Sequence, residues 1–267
     1  MSDRYRIEDG KNFKLSDFDP GDTGKFSEKI DADARTAEDL KKISELHQKL
    51  YADRRYAVLI VLQGMDTAGK DGTIKHVFTG VNPQGCRVTS FKKPSEEELA
   101  HDFLWRINKA LPERGSFGIF NRSHYEDVLI ARVHNLVPKK VWSKRYDAIN
   151  HFEKRLSEEG VIILKFFLYV GKDEQKQRIL ARIEDPAKRW KFTQNDIEER
   201  RYWKKYIQAY EDAVAQCSAP HAPWYVVPAN HKWYRNYVVA HAIAKTLSKL
   251  DLKFPKAEVD PKIAKLL

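Results

Sequence analysis

Cysteine is scarce in this 267-residue chain: only Cys86 and Cys217 occur, too few for a disulfide framework and not spaced as zinc ligands. No C-x-x-C or H-E-x-x-H string is present, so a zinc centre has no support. No stretch reaches the roughly 18 consecutive apolar residues of a membrane span. The polar start Met1-Ser2-Asp3-Arg4 lacks the apolar region of a signal peptide. The expectation is a cytoplasmic protein with no membrane partner. Internal repeats and low-complexity tracts are absent too.

What is present describes a globular enzyme-sized chain. Hydrophobic residues make up 42% and charged residues 32%, enough to bury a full core. The length suits one α/β domain with an insertion. A formal net charge of +10 asks for an anionic partner: nucleic acid, an acidic membrane or a phosphate-rich small molecule.

Residues 1–35 mix charge with Gly10, Pro20, Gly21 and Gly24 and read as an irregular arm. From Ala37 to Asp53, Leu40, Ile43, Leu46 and Leu50 recur at helical spacing. Five runs then read as strands: Tyr56–Leu62, Arg87–Phe91, Phe117–Phe120, Val161–Val170 and Trp224–Val227. Helical patterns separate them, which implies a five-stranded parallel sheet covered on both faces, a three-layer α/β fold. The domain spans 36–255. Within it, 172–216 is dense in Arg and Lys and reads as two helices broken at Asp185-Pro186, a helical lid. Residues 256–267 form a Lys-rich tail.

Gly64-Met65-Asp66-Thr67-Ala68-Gly69-Lys70 fits the G-x-x-x-x-G-K half of a Walker A loop, between a predicted strand and a predicted helix. Such a loop turns its N–H groups toward a phosphate, so Gly64, Thr67, Ala68, Gly69 and Gly72 are expected phosphate-binding positions and Lys70 the cation that reaches the transferring group. The competing reading is a Gly-rich βα turn with an exposed lysine. Asp71 stands where a Ser or Thr hydroxyl would hold magnesium. With Asp66 it makes a carboxylate pair suited to a hard divalent cation, magnesium or manganese; helix capping is the alternative.

A second cluster, Phe120-Asn121-Arg122-Ser123-His124-Tyr125-Glu126-Asp127, follows the third strand, at the end where α/β sheets place ligands. Arg122 can grip a phosphate, and Glu126 or Asp127 can order a metal water or a nucleotide phosphate. Lys92 and Arg132 are further expected nucleotide contacts. The lid cations, Arg178, Arg182 and Lys191 among them, would form a channel for a polyanion if the segment folds back; a solvated helix face is the alternative. Trp190, Trp203, Tyr206 and Tyr210 are expected to pack the lid. Lys232 or Arg235 follows the last strand within reach of a phosphate.

The 64–72 and 120–129 strings, together with Asp185-Pro186, Trp190-Lys191-Phe192, Asp196, Trp203 and Tyr206 in that order, resemble the family-2 polyphosphate kinases over most of residues 40–245. The resemblance implies a P-loop kinase fold with a helical lid. It implies magnesium-dependent transfer of the terminal phosphate of inorganic polyphosphate to nucleoside mono- or diphosphates, and a homo-oligomer. By position it assigns Asp66, Lys70 and Asp71 to the Walker A site, Arg122 to phosphate, and Arg182 and Lys191 to the polyanion. Asn121 replaces the Walker B aspartate of many relatives, which shifts the metal role to Asp66 and Asp71. Glu126 has the form found in members that accept both AMP and ADP. The rivals are an ATP-dependent nucleotide kinase and a basic nucleic-acid-binding module, the latter disfavoured.

Overall fold

The β-branched and aromatic runs pair with one another through the middle of the molecule. The structure, a computed structural model, describes residues 2–256. In chain order its elements begin with β1 (Arg6–Ile7), α1 (Lys29–Asp53), β2 (Ala57–Gln63), α2 (Lys70–Val77) and β3 (Cys86–Ser90). Next come α3 (Glu96–Leu99), α4 (Trp105–Lys109), β4 (Phe117–Asn121), α5 (Ile130–Val133), α6 (Lys139–Glu158) and β5 (Val161–Tyr169). The last are α7 (Lys172–Glu184), α8 (Gln194–Arg201), α9 (Trp203–Gln216), β6 (Trp224–Pro228) and α10 (Lys232–Leu247).

The sheet runs β1-β6-β5-β2-β4-β3, and every pair is parallel except β1 with β6. All seven residues of β2 are buried, as a central strand covered on both faces requires. The expected five parallel strands are all present, but the count is corrected to six. Arg6 and Ile7, inside the segment read as an irregular arm, pair with Tyr225 and Trp224 and cover the open edge of β6. Two residues are too few to show a period-2 pattern. The same segment buries Tyr5, whose hydroxyl meets Tyr234 at 2.8 Å and Asp22 at 2.7 Å.

Side chains alternate along β5 and sort the covering helices. Lys165 meets Glu153 of α6 and Phe167 stacks on Tyr210 of α9 at 4.1 Å, so α6 and α9 share one face. Phe166 points the other way and stacks on Tyr225 at 5.1 Å. Because β2, β4, β5 and β6 are parallel, their C-terminal ends lie on one rim, and the loops after Gln63, Asn121, Tyr169 and Pro228 meet there. With β4 and β5 on opposite sides of β2, this rim is also the switch point where such sheets bind ligands.

Three expected boundaries move. The first helix starts at Lys29 and not Ala37, because its first turns face solvent, with Ile30 71% exposed, and carry no apolar stripe. The lid has three helices instead of two: α7 stops before Pro186, as predicted, and Tyr202 adds a second break between α8 and α9. The helix expected over Tyr125–Val133 is a single 3-10 turn, His124–Asp127, followed by short α5. Of the tail, residues 257–267 lie outside the described residues.

A buried charged knot supports the rim. The Lys165 ammonium, fully buried, donates to Glu153 Oε2 at 2.5 Å, to the Cys217 carbonyl at 2.6 Å and to the Tyr125 hydroxyl at 2.9 Å. Glu153 Oε1 also accepts from Tyr125 at 2.9 Å and lies 3.1 Å from His124 Nε2. Burial pushes the Glu153 carboxyl up, but the charge of Lys165 and the bonds from His124 and Lys165 outweigh it and hold it below its usual range. Tyr125 follows Arg122 by three residues, so this knot fixes the loop after β4. Lys165→Met should therefore destabilise the fold by about 3–5 kcal/mol, the cost of stranding one partner of a buried pair. Urea denaturation checks this; a loss under about 1 kcal/mol would show the pair to be dispensable.

Candidate active site

The chain leaves β2 through a turn that only its own residues can make. Gly64 has φ 156°, and a Cβ there would lie 2.8 Å from the Leu168 carbonyl. Thr67 adopts a left-handed φ of 64°, and the Ala68 N–H closes back on Met65 O at 3.1 Å. Gly69 has φ 109°, and a Cβ there would fall 1.8 Å from Arg235 Nη1. Helix α2 begins at the next residue, so the N–H groups of its first turn have no partners within the helix.

Lys70 lies under this turn, 8% exposed, and its ammonium donates to the carbonyls of Gly64 at 2.6 Å and Met65 at 3.3 Å. Burial, and then the neighbouring Arg122, lower its pKa to about 8 against the opposing pull of Asp66, Glu126 and Asp71. The reading of an exposed lysine is excluded.

Arg122 takes a left-handed φ of 65° as the chain leaves β4, with its N–H on Leu62 O at 3.0 Å. That bend sends the guanidinium to Asp66 at 2.8 Å and Glu126 at 3.3 Å. Glu126, then burial opposed by Asp66, set its basicity, and the net effect is to raise it. Gln63 donates to the other Glu126 oxygen at 3.0 Å. Asn121 donates its amide to Asp71 Oδ1 at 2.7 Å, so the residue in the Walker B place orients the carboxylate it was expected to yield to. The two sequence strings therefore meet: Gly64, Asp66, Lys70 and Asp71 face Asn121, Arg122 and Glu126.

Other candidates sit elsewhere. Asp127 turns to Arg145, 2.8 Å away. Arg132 pairs with Asp212 at 2.5 Å, bonds Tyr146 and lies over the Trp142 ring at 4.6 Å, ties that join α5 to α6 and α9. Lys92 is exposed beyond β3. Arg182 is half-buried with no ion pair among the described residues, and Lys191 is exposed, over the Trp190 ring at 5.1 Å.

Two arginines expected to face the polyanion lie behind the loop instead. Arg178 donates to the carbonyls of Thr67, Ala68, Ala229 and Asn230, and Arg235 donates to Ala68 O. Each lies in a helix that follows a strand end, and nothing in a charge pattern tells which side of a loop such a residue takes. The lid also contributes residues that sequence reasoning treated as packing. A cavity between loop and lid is lined by Gly64, Met65, Asp66, Arg122, Glu126 and Leu129, and from the lid by Gln175, Glu199, Tyr206 and Tyr210. Gln175 donates to Asp66 O at 3.0 Å, and Glu199 accepts from Tyr206 at 2.7 Å.

A buried lysine in a Gly-rich turn, an arginine across from it and a helical lid above describe a phosphate-handling site. A family model described as Polyphosphate kinase 2 (PPK2) matches residues 25–255. The chain belongs to this family. It is 50% identical over 256 residues to the AMP/ADP-polyphosphate phosphotransferase of Meiothermus ruber, covering 96% of each chain. It is 46% identical to the ADP-polyphosphate phosphotransferase of Rhodopseudomonas palustris, covering 92% of each. The crystal structure of polyphosphate kinase 2 from Arthrobacter aurescens superposes with a TM-score of 0.93 at 43% identity, covering 97% of this chain and 94% of that one. The P-loop kinase architecture that the resemblance implied is thus shared with solved members of the family.

Asp66 and Asp71 fit a hard divalent cation of one kind. No group of three or more His, Cys, Asp or Glu able to hold a metal occurs among the described residues, so an all-protein cage is absent there. Two accessible carboxylates are what magnesium uses when phosphate oxygens and waters complete its shell.

The Lys70 ammonium gives a pH dependence. An anion bound at the loop favours the charged lysine, so it raises a pKa that stands at about 8 in the free protein. Affinity is complete below that value and is lost as pH rises through it. The KM for polyphosphate should climb by about tenfold per pH unit above the free value and stay flat below it. A profile flat to pH 9.5 would remove Lys70 from anion binding.

Proposed function

We propose that this enzyme transfers the terminal phosphoryl group of inorganic polyphosphate to a nucleoside monophosphate or diphosphate, reversibly. The observation that carries the proposal is the Lys70 ammonium, held among the described residues by the loop carbonyls of Gly64 and Met65 and opposite Arg122, on the rim covered by a cationic lid. The activities by which the relatives are named support the donor and both acceptors.

The chemistry needs position and charge neutralisation more than a protein nucleophile. A terminal oxygen of the acceptor phosphate, already ionised near neutral pH, forms the new P–O bond. The bridging P–O bond of the donor breaks, and its electrons leave on a chain one phosphate shorter. Lys70 and the N–H groups at the start of α2 hold the transferring group and the charge that builds on it. Arg122 exchanges its bonds to Asp66 and Glu126 for acceptor phosphate oxygens. Asp66 and Asp71, oriented by Arg122 and Asn121, would hold magnesium, with manganese as its substitute, which neutralises phosphate charge when bound. Arg182 and Lys191, unpaired by carboxylates among the described residues, support the reading of a track for the donor chain. Glu126 and Gln63, beside the acceptor path, would set how many acceptor phosphates fit; Lys92 is a candidate for the nucleotide.

The proposal extends to a cytoplasmic homo-oligomer. It is supported by two unpaired thiols and by the family resemblance.

Incubation with polyphosphate and AMP or ADP, without ATP, should yield the next higher nucleotide; an ATP requirement would point to an ordinary nucleotide kinase. Lys70→Ala should cut kcat/KM by about 10²–10³, as loss of one preorganised transition-state donor does. Asp71→Asn should raise the magnesium concentration for half-activity by about 10-fold or more. An unchanged magnesium titration would take Asp71 out of the metal site.

A further inference from the structure

Arg235 is an expensive residue for a fold to hold. Its guanidinium is 2% exposed, and no carboxylate lies within ion-pairing distance of it among the described residues. Its acceptors are neutral: Ala68 O at 3.1 Å and the Asn236 side-chain oxygen at 2.9 Å. Burial, and then the nearby charge of Arg178, lower its pKa to about 10. Arg178, at 8% exposure, bonds the same Ala68 carbonyl at 3.1 Å and reaches Thr67 O at 3.0 Å, Ala229 O at 2.5 Å and Asn230 O at 2.9 Å. Its one anionic partner among the described residues is Glu174, 2.7 Å from Nε.

Two guanidinium groups, one from the lid and one from α10, thus converge on a single peptide oxygen. In a trans peptide the carbonyl and the following N–H point opposite ways. Holding Ala68 O behind the loop therefore aims the Gly69 N–H forward, toward the side where α2 opens. Charge on the carbonyl also polarises that peptide and strengthens its N–H as a donor. Gly69 itself is shaped to the pair: any Cβ would strike Arg235 Nη1.

We propose that Arg178 and Arg235 are positioning residues for phosphate binding, which fix and polarise the Ala68–Gly69 peptide so that the Gly69 N–H and the unneutralised charge behind it meet the donor polyphosphate. The inference rests on the phosphate-binding reading of the loop. The arginines touch no substrate; they act through the peptide. Since Arg178 belongs to α7, the same contact seats the lid on the loop.

The test separates this role from simple support of the fold. Arg235→Met should raise the KM for polyphosphate about tenfold, the factor for one charge-assisted hydrogen bond, and leave the acceptor KM within about twofold. Arg235→Lys should recover most of the loss. A folded fraction that falls lowers kcat but leaves KM alone, so a variant with reduced kcat and wild-type polyphosphate KM overturns the proposal. In a ¹⁵N-glycine-labelled sample, inorganic tripolyphosphate should move the Gly69 amide proton downfield in the wild type and less in Arg235→Met; equal movement also overturns it. Should Arg235→Met fail to fold, Arg178→Lys carries the same measurements, because a compact ammonium with three donors cannot span the four carbonyls that the guanidinium fork holds. If the wild type transfers no phosphate from polyphosphate, the proposed function fails on its own, and the Gly69 response to tripolyphosphate still decides the arginine pair.

Discussion

The whole arrangement depends on burying positive charge beside a backbone turn without neutralising it. Cations in this molecule divide into two kinds by what accepts their hydrogen bonds. Lys165, Arg132 and Arg145 end on carboxylates, Glu153, Asp212 and Asp127, and their charge is cancelled where it stands. Lys70 and Arg235 end on neutral oxygens, so their charge remains available to the loop between them. Burial makes such charge costly and, in the same measure, makes it strong toward an incoming anion.

The scaffold exists to hold that charge still. A fully buried β2 delivers the turn, and parallel β4 delivers Arg122 to the same rim with its own N–H anchored on Leu62. The Lys165–Glu153–Tyr125 knot then fixes the loop after β4 from beneath. Polar contacts join the lid to this base, among them Gln175 to Asp66 O, Arg178 to the loop carbonyls, Asp212 to Arg132, and Glu199 with Tyr206 across to His134. Arg122 is paired with Asp66 and Glu126, the carboxylates that the proposed mechanism exchanges for phosphate oxygens.

Much of this was legible in the residues alone. Two of the five parallel strands announced themselves most clearly, because a doubly covered strand is largely apolar, as in Ala57–Leu62 and in Val161–Leu168, whose run is broken only by Lys165. Gly64, Gly69 and Lys70 were legible because their spacing matches a backbone that must curl. Arg122 was found because it ends a strand. What escaped was decided by tertiary contacts. Strand β1 is two residues long and has no period. Arg132 and Arg178 both stand in helices of the sequence pattern, yet one meets Asp212 and the other four backbone carbonyls. Charge can be counted from a sequence, but its partner depends on which element lies opposite. Of the aromatics read as lid packing, Trp190 is 76% exposed, Tyr210 stacks on Phe167 of β5, and the cavity that Tyr206 and Tyr210 line became visible only once α9 was set against β5.

The central claim is that the Lys70 ammonium is a buried, carbonyl-held cation that an incoming polyanion completes. The most direct measurement follows the titration of the Lys70 side chain by NMR with and without inorganic polyphosphate, using Lys70→Arg to assign the resonance. The account predicts a pKa near the value of about 8 in the free protein, well below an ordinary lysine, and a clear rise when polyphosphate binds. An ordinary lysine titration that polyphosphate leaves unmoved would contradict it.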